Sequence, residues 1–153
     1  MMLILNENGL LIPGGLIDTS LHEVEEAFVF SMPLSSNRSQ LFDQLSSYIN
    51  EVKVIIGETF TYWLDGSFTT SKLNPKDVDI VLFVDYRKHQ QFNRELDQLR
   101  SVRKPVIDSY FVPVYPSGHR NYRLYELSQT EWLYVFGTTR DYKNKGILSL
   151  QVQ

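Results

Sequence analysis

Two aspartates separated by one residue, Asp77 and Asp79, open an apolar run that continues Ile80-Val81-Leu82-Phe83-Val84. A glycine-serine pair, Gly66-Ser67, stands just upstream. Side chains at i and i+2 of a strand point to the same face. Two carboxylates that close repel each other unless a cation neutralises them. Hard divalent ions such as Mg2+ take carboxylate oxygens and share their coordination with substrate phosphates. A Gly-Ser turn adds backbone N–H groups and a hydroxyl suited to phosphate oxygens. The chemistry these residues could do together is metal-assisted chemistry on a phosphate.

The elements that must position them follow from periodicity. Phe60, Tyr62 and Leu64 alternate with Thr61, Trp63 and Asp65, which predicts a strand ending at the Gly66-Ser67 turn. Residues 68–76 are polar and contain Pro75, as in a loop or short helix. The segment from Asp77 to Val84 is rich in β-branched and aromatic residues, the pattern of a strand buried on both faces. A helix is predicted from about Arg87 to Arg100, with Phe92, Leu96 and Leu99 at helical spacing. A further strand follows in Pro105-Val-Ile-Asp108-Ser-Tyr-Phe-Val112.

The Trp63–Asp79 stretch resembles the signature of the DNA polymerase β-type nucleotidyltransferase superfamily, most closely its minimal single-domain members in bacteria. The specific resemblance covers Trp63 to Val112, about a third of the chain. The resemblance implies a third carboxylate on a later strand, and Asp108 fits that place. It further implies that Asp77, Asp79 and Asp108 are the catalytic acids and hold Mg2+ or Mn2+. Gly66 and Ser67 would then bind the phosphates of an NTP. Lys72 and Lys76 flank the acids, and Lys72 is the one taken as a nucleotide contact, against the plainer reading of both as solvated lysines. The implied activity is transfer of an NMP unit from an NTP to a hydroxyl on a protein or tRNA acceptor. Small members of the superfamily commonly belong to toxin–antitoxin or phage-defence pairs, so a cognate toxin or antitoxin is an implied partner. The alternative is a catalytically silent binding module that keeps the fold and acts as antitoxin or interaction subunit. Asp65 is a rival carboxylate, but it precedes the glycine and is expected to fix the turn by hydrogen bonding.

Ile12-Pro-Gly-Gly-Leu16 is a turn-rich lead-in. Ser20-Leu-His-Glu23 fits a capping box, starting a helix that runs to about Phe30 and stops near Pro33. A second helix is expected over about Asn37 to Val52, with Leu41, Leu45, Tyr48, Ile49 and Val52 on one stripe. After Asp108, Arg120 to Tyr125 is expected as a strand and Gln129 to Phe136 as a short helix. A polar connection carrying Arg140 and Lys145 comes next, then a last strand over Gly146 to Val152. Alternating helices and strands on a mixed sheet give an α/β or α+β fold. The expected organisation is a single domain over 1–153: an N-terminal helical part (1–57), a catalytic core (58–114) and a C-terminal extension (115–153).

The chain has 153 residues, 42% hydrophobic and 13% aromatic, enough for one core. It has no cysteine, which excludes disulfides and thiolate metal sites, and its three histidines show no metal-ligand spacing. No apolar run is long enough for a membrane span, and the N-terminus lacks the basic start of a signal peptide, so a cytoplasmic protein is expected. The net charge of −3 is uneven: residues 1–60 carry eight acids and two bases, residues 100–153 eight bases and four acids. The basic half could face phosphates. With no second substrate-binding domain expected, recognition of the acceptor would fall to a partner protein or to a second copy in a homodimer.

Overall fold

The computed structural model describes residues 2–152. Its centre is a five-stranded mixed sheet with helices packed on both faces, an α+β architecture. The strands are β3 (Gly15–Asp18), β4 (Thr61–Asp65), β5 (Val78–Asp85), β6 (Ile107–Val114) and β7 (Gly146–Gln151). They lie in the order β3-β7-β4-β5-β6. β5 runs parallel to β6 and β3 parallel to β7, while β4 is antiparallel to both its neighbours. A separate hairpin joins β1 (Ile4–Leu5) to β2 (Leu11–Ile12). Among the described residues no helix is long and apolar enough to cross a membrane.

The helices form where apolar spacing and caps agree. α1 (Leu21–Glu25) starts at Ser20, whose hydroxyl accepts from the backbone N–H of Glu23, and continues as a wider π-helical turn to Phe30. α2 (Arg38–Ile56) buries Leu41, Leu45, Tyr48, Ile49, Val52 and Ile56 along one stripe. It ends at Gly57, whose φ of 71° is the left-handed cap conformation that suits a residue without Cβ. α3 (Tyr86–Gln91) and α4 (Asn93–Arg103) cross from β5 to the parallel β6, as parallel pairing requires. α5 (Tyr122–Gly137) connects β6 to the loop before β7.

Alternation divides the core in two. Tyr62, Leu64, Ile80, Leu82, Leu148 and Leu150 point towards α2, where they join Leu45, Val52, Phe28 and Leu96 in the larger apolar cluster. Trp63, Val81, Phe83, Val112 and Ile147 point the other way and are covered by Phe136, Trp132 and Tyr125 of α5. On the α2 side, Tyr48 and Ser109 share a buried 2.5 Å hydrogen bond that ties α2 to β6.

Four expectations are corrected. Arg120–Tyr125 is not a strand: Tyr122 opens α5, which continues through the expected short helix. Tyr125, Trp132 and Phe136 recur at helical spacing, and that stripe, packed on the sheet, outweighs the local alternation. The helix expected over Arg87–Arg100 is two helices, because Phe92, with φ −109° and ψ 18°, leaves helical geometry between them. Asp77 lies one residue before β5 rather than inside it. The lead-in Ile12–Leu16 supplies the end of β2 and the start of β3, so the segment expected to be helical also contributes an edge strand.

Candidate active site

Register places the acids. Asp79 of β5 stands directly opposite Asp108 of β6 and, on its other side, directly opposite Asp65 of β4. Directly opposed residues share a face, so Asp65, Asp79 and Asp108 form a row across three strands, at the edge of the face that α5 covers. Asp77 precedes Asp79 by two residues. The structure therefore brings together the three acids singled out from the sequence and adds Asp65.

The electrostatics of the row are those of carboxylates held near one another. Burial, then Asp77 and Asp108, push the Asp79 carboxyl up to about 6. Asp77 is also raised, by burial and by Asp108, against the pull of Lys72 and Lys76. Burial raises Asp65 to about 7, opposed chiefly by Lys145, whose Nζ lies 3.1 Å from Asp65 Oδ1. Asp65 is only 3% exposed. A hydrogen bond from the Gly66 backbone also reaches Asp65, so part of its expected turn-fixing role is present. Its principal partner, however, is a lysine eighty positions further along the chain.

The Gly-Ser turn lies directly against the acids. Gly66 has φ 82°, and a Cβ placed there would overlap the carboxylate of Asp79. Only glycine gives this backbone both the left-handed conformation and the room to approach the acid. Ser67–Thr69 then makes a single 3-10 turn with Phe68 and Thr69 buried beneath it.

The loop that follows is fastened by a residue the sequence gave no reason to single out. Arg38, at the start of α2, is 1% exposed. Its guanidinium donates to the carbonyls of Phe28 (3.1 Å), Phe68 (2.6 Å), Ser67 (3.4 Å), Thr70 (2.8 Å) and Lys72 (3.1 Å from Nε, 2.5 Å from Nη2). It also lies over the rings of Phe28 and Phe68. Burial lowers its pKa to about 10, which still leaves it charged at neutral pH. Nearby, the Ser36 N–H donates to Asn74 Oδ1 (2.8 Å) and Asn37 Nδ2 to the Pro75 carbonyl (2.5 Å). The segment between Ser67 and Asp77 is thus bound to the head of α2, and Lys72 is presented from a fixed backbone with its side chain exposed.

The connection from α5 to β7 is also ordered by specific bonds. Thr139 N donates to the Lys143 carbonyl (2.9 Å), Lys143 N to Thr139 Oγ1 (2.9 Å) and Lys145 N to the Gly137 carbonyl (3.0 Å). Arg140 is exposed on it. Lys145 was visible in the sequence as one of two bases in a polar stretch, with nothing local to distinguish it from an ordinary loop residue.

Comparison with known proteins identifies the family. The chain belongs to DUF6932, a family of unknown function whose model matches residues 3–151. No curated protein and no solved structure matches the chain. The family match spans every strand of the sheet, so the acid row, the Gly-Ser turn and the Lys145 connection all lie within it. A cofactor must be judged on the donor set itself. Asp77, Asp79 and Asp108 offer only carboxylate oxygens, the ligands of a hard divalent ion. Asp77 and Asp79 are raised first by burial and then by their acidic neighbours, and a bound cation would offset both. Among the described residues, no group of three or more His, Asp or Glu side chains is already gathered in metal-ligating geometry.

Proposed function

We propose that this protein is a nucleotidyltransferase that moves an NMP unit from an NTP to an acceptor hydroxyl, with Mg2+ or Mn2+ held by Asp77, Asp79 and Asp108. The observation that carries the reading is the direct register of Asp79 with Asp108, beside a glycine turn that backs onto Asp79. The resemblance of Trp63–Val112 to the DNA polymerase β-type superfamily supports the same reading. A divalent ion bound by the acids would neutralise phosphate charge as it develops.

The chain's own groups then have distinct tasks. The Gly66 and Ser67 backbone, with the Ser67 hydroxyl, receives the β- and γ-phosphates, and Lys72 adds a positive charge from the loop that Arg38 fastens. The acceptor oxygen bonds to the α-phosphorus as the bond from that phosphorus to the bridging oxygen breaks, and pyrophosphate leaves. Asp108, at the β6 end of the row, takes the acceptor's proton. Positioning and charge compensation supply the rate, with no covalent intermediate on the protein. The acceptor class, a protein or tRNA hydroxyl, and membership of a toxin–antitoxin or phage-defence pair follow from the resemblance and are part of this proposal.

The test is incubation with α-labelled NTPs, Mg2+ and candidate acceptors, namely bulk tRNA and the protein encoded beside this one. Label should pass to one acceptor and require Asp77, Asp79 and Asp108. Absence of transfer with all four NTPs and both acceptors would favour a silent binding module.

A further inference from the structure

The ion pair between Lys145 and Asp65 goes unused in that scheme. Its position along the row gives it a task. Because β7 neighbours β4, the order across the sheet edge is Lys145, Asp65, Asp79, Asp108. Gly66-Ser67 follows Asp65 directly, so a phosphate held on that turn lies at the Lys145 end of the row. The acceptor end lies with Asp108.

Three observations set Lys145 apart from a lysine that merely neutralises a buried acid. Its side chain is 12% exposed, so the ammonium is largely withdrawn from water yet still reachable from the site. Its charge opposes the burial-driven rise of Asp79 as well as that of Asp65, so it is felt along the row and not by a single partner. Its backbone is fixed by the Thr139–Lys143 turn, the Thr138–Asn144 bridge and the bond to Gly137, while its Nζ lies 3.1 Å from Asp65 Oδ1, the residue before Gly66. An ammonium has three donors, and the 3.1 Å ion pair with Asp65 Oδ1 engages at most one of them. A preorganised, poorly hydrated cation beside a backbone anion cradle suits phosphate oxygens.

We infer that Lys145 is a binding residue for the triphosphate of the nucleotide, with Asp65 as the residue that orients it. This rests on the nucleotidyltransferase reading and deepens it. Asp65, which carries the sequence character of a catalytic acid, becomes a positioning residue, and the loop between α5 and β7 becomes part of the nucleotide site.

The experiment is isothermal titration of the full chain with two probes in the presence of Mg2+: a non-hydrolysable NTP and inorganic tripolyphosphate. Lys145→Ala should weaken both by about tenfold or more, the scale on which loss of a partly desolvated charge contact is felt. Lys145→Arg should stay within about threefold of wild type. Since Lys145→Ala leaves Asp65 buried without its cation, the double variant Asp65→Asn/Lys145→Met provides a neutral, similarly sized replacement for the pair. It should fold and still bind both probes as weakly as Lys145→Ala. Wild-type affinity in the double variant would overturn the inference, since Lys145 would then serve only to balance Asp65. So would unchanged tripolyphosphate binding by Lys145→Ala. Either result, with wild type binding the NTP, leaves the nucleotidyltransferase reading standing. Failure of wild type to bind either probe would overturn both.

Discussion

The two faces of the sheet are built for different ends. The face towards α2 is closed: Leu45, Tyr48, Val52, Leu64, Ile80 and Leu82 are buried, and its polar pair, Tyr48 and Ser109, is hydrogen-bonded. The face towards α5 is covered over only part of its length. Where Val81 and Ile147 end, Asp79, Asp108 and Asp65 begin, with pKa values of Asp79 and Asp65 raised by burial. One face lowers the free energy of folding by removing apolar surface from water. The other tolerates neighbouring carboxylates that oppose folding. Sites that work against local stability in this way are where binding and catalysis concentrate.

That contrast can be broken most sharply by asking what each face does when cut. Replacing Asp77, Asp79 or Asp108 singly by Asn should lower NMP transfer by at least about 10³-fold, because such groups act as a unit. Stability should not fall in parallel. Wild-type transfer by Asp108→Asn would remove that residue from the site. On the opposite face, Leu45→Ala should cost about 3 kcal/mol in chemical denaturation, typical for a buried leucine, with NTP affinity of the folded protein unchanged.

Arg38 joins the two regions, and its replacement should register in both. Arg38→Lys keeps a charge but loses the planar fork that reaches several carbonyls. At least one buried carbonyl then lacks a donor, at a cost of about 2 kcal/mol. Hydrogen exchange should quicken at residues 67–72 before it quickens elsewhere. Wild-type protection of that segment would show that the loop holds its shape without the arginine.

The smallest effect has the most telling sign. In metal-free protein the folded-state pKa of Asp79, about 6, exceeds the unfolded value of about 3.9. The folded state therefore binds that proton more tightly, and the contribution of Asp79 to stability falls as pH rises from about 4 to about 6, then levels off. Asp79→Asn should raise the Tm in chelator at pH 7.5 by a few degrees, where about 1 kcal/mol corresponds to roughly 2–4 °C in a domain of this size. The gain should vanish near pH 4. A lower Tm at pH 7.5 would mean that the acids are not in electrostatic conflict.

Much of this contrast was legible in the sequence, for identifiable reasons. Strand alternation at Phe60–Asp65, the continuous β-branched and aromatic run to Val84, and the stripe Leu41–Val52 are local patterns that burial of nearby residues produces. The carboxylates were legible because aspartate is depleted in strands. What local pattern does not carry was missed. β3 is short, begins at a glycine and exists because β7 lies beside it. Arg38 looks like an ordinary surface cation at a helix start, and only the carbonyls of residues 67–72, some thirty positions away, make it a buried staple. Lys145 gains its meaning from Asp65 in the same way. Arg120–Tyr125 reads as a strand until Trp132 and Phe136 extend the pattern from Tyr125 to helical spacing.

The central claim is that Asp77 and Asp79 form a cation-dependent nucleotide site with the Gly66-Ser67 turn. It is tested most directly by thermal unfolding with Mg2+ and NTP together, against either alone, in wild type and in the Asp77→Asn/Asp79→Asn variant. A ligand that binds only the folded state raises the Tm by mass action, by the equivalent of about 2.7 kcal/mol at a hundredfold excess over Kd. The wild-type protein should show a rise with Mg2+ and NTP that exceeds the sum of the separate effects, and the double variant should lose that excess. An equal rise in the double variant, or none in wild type, would contradict the account.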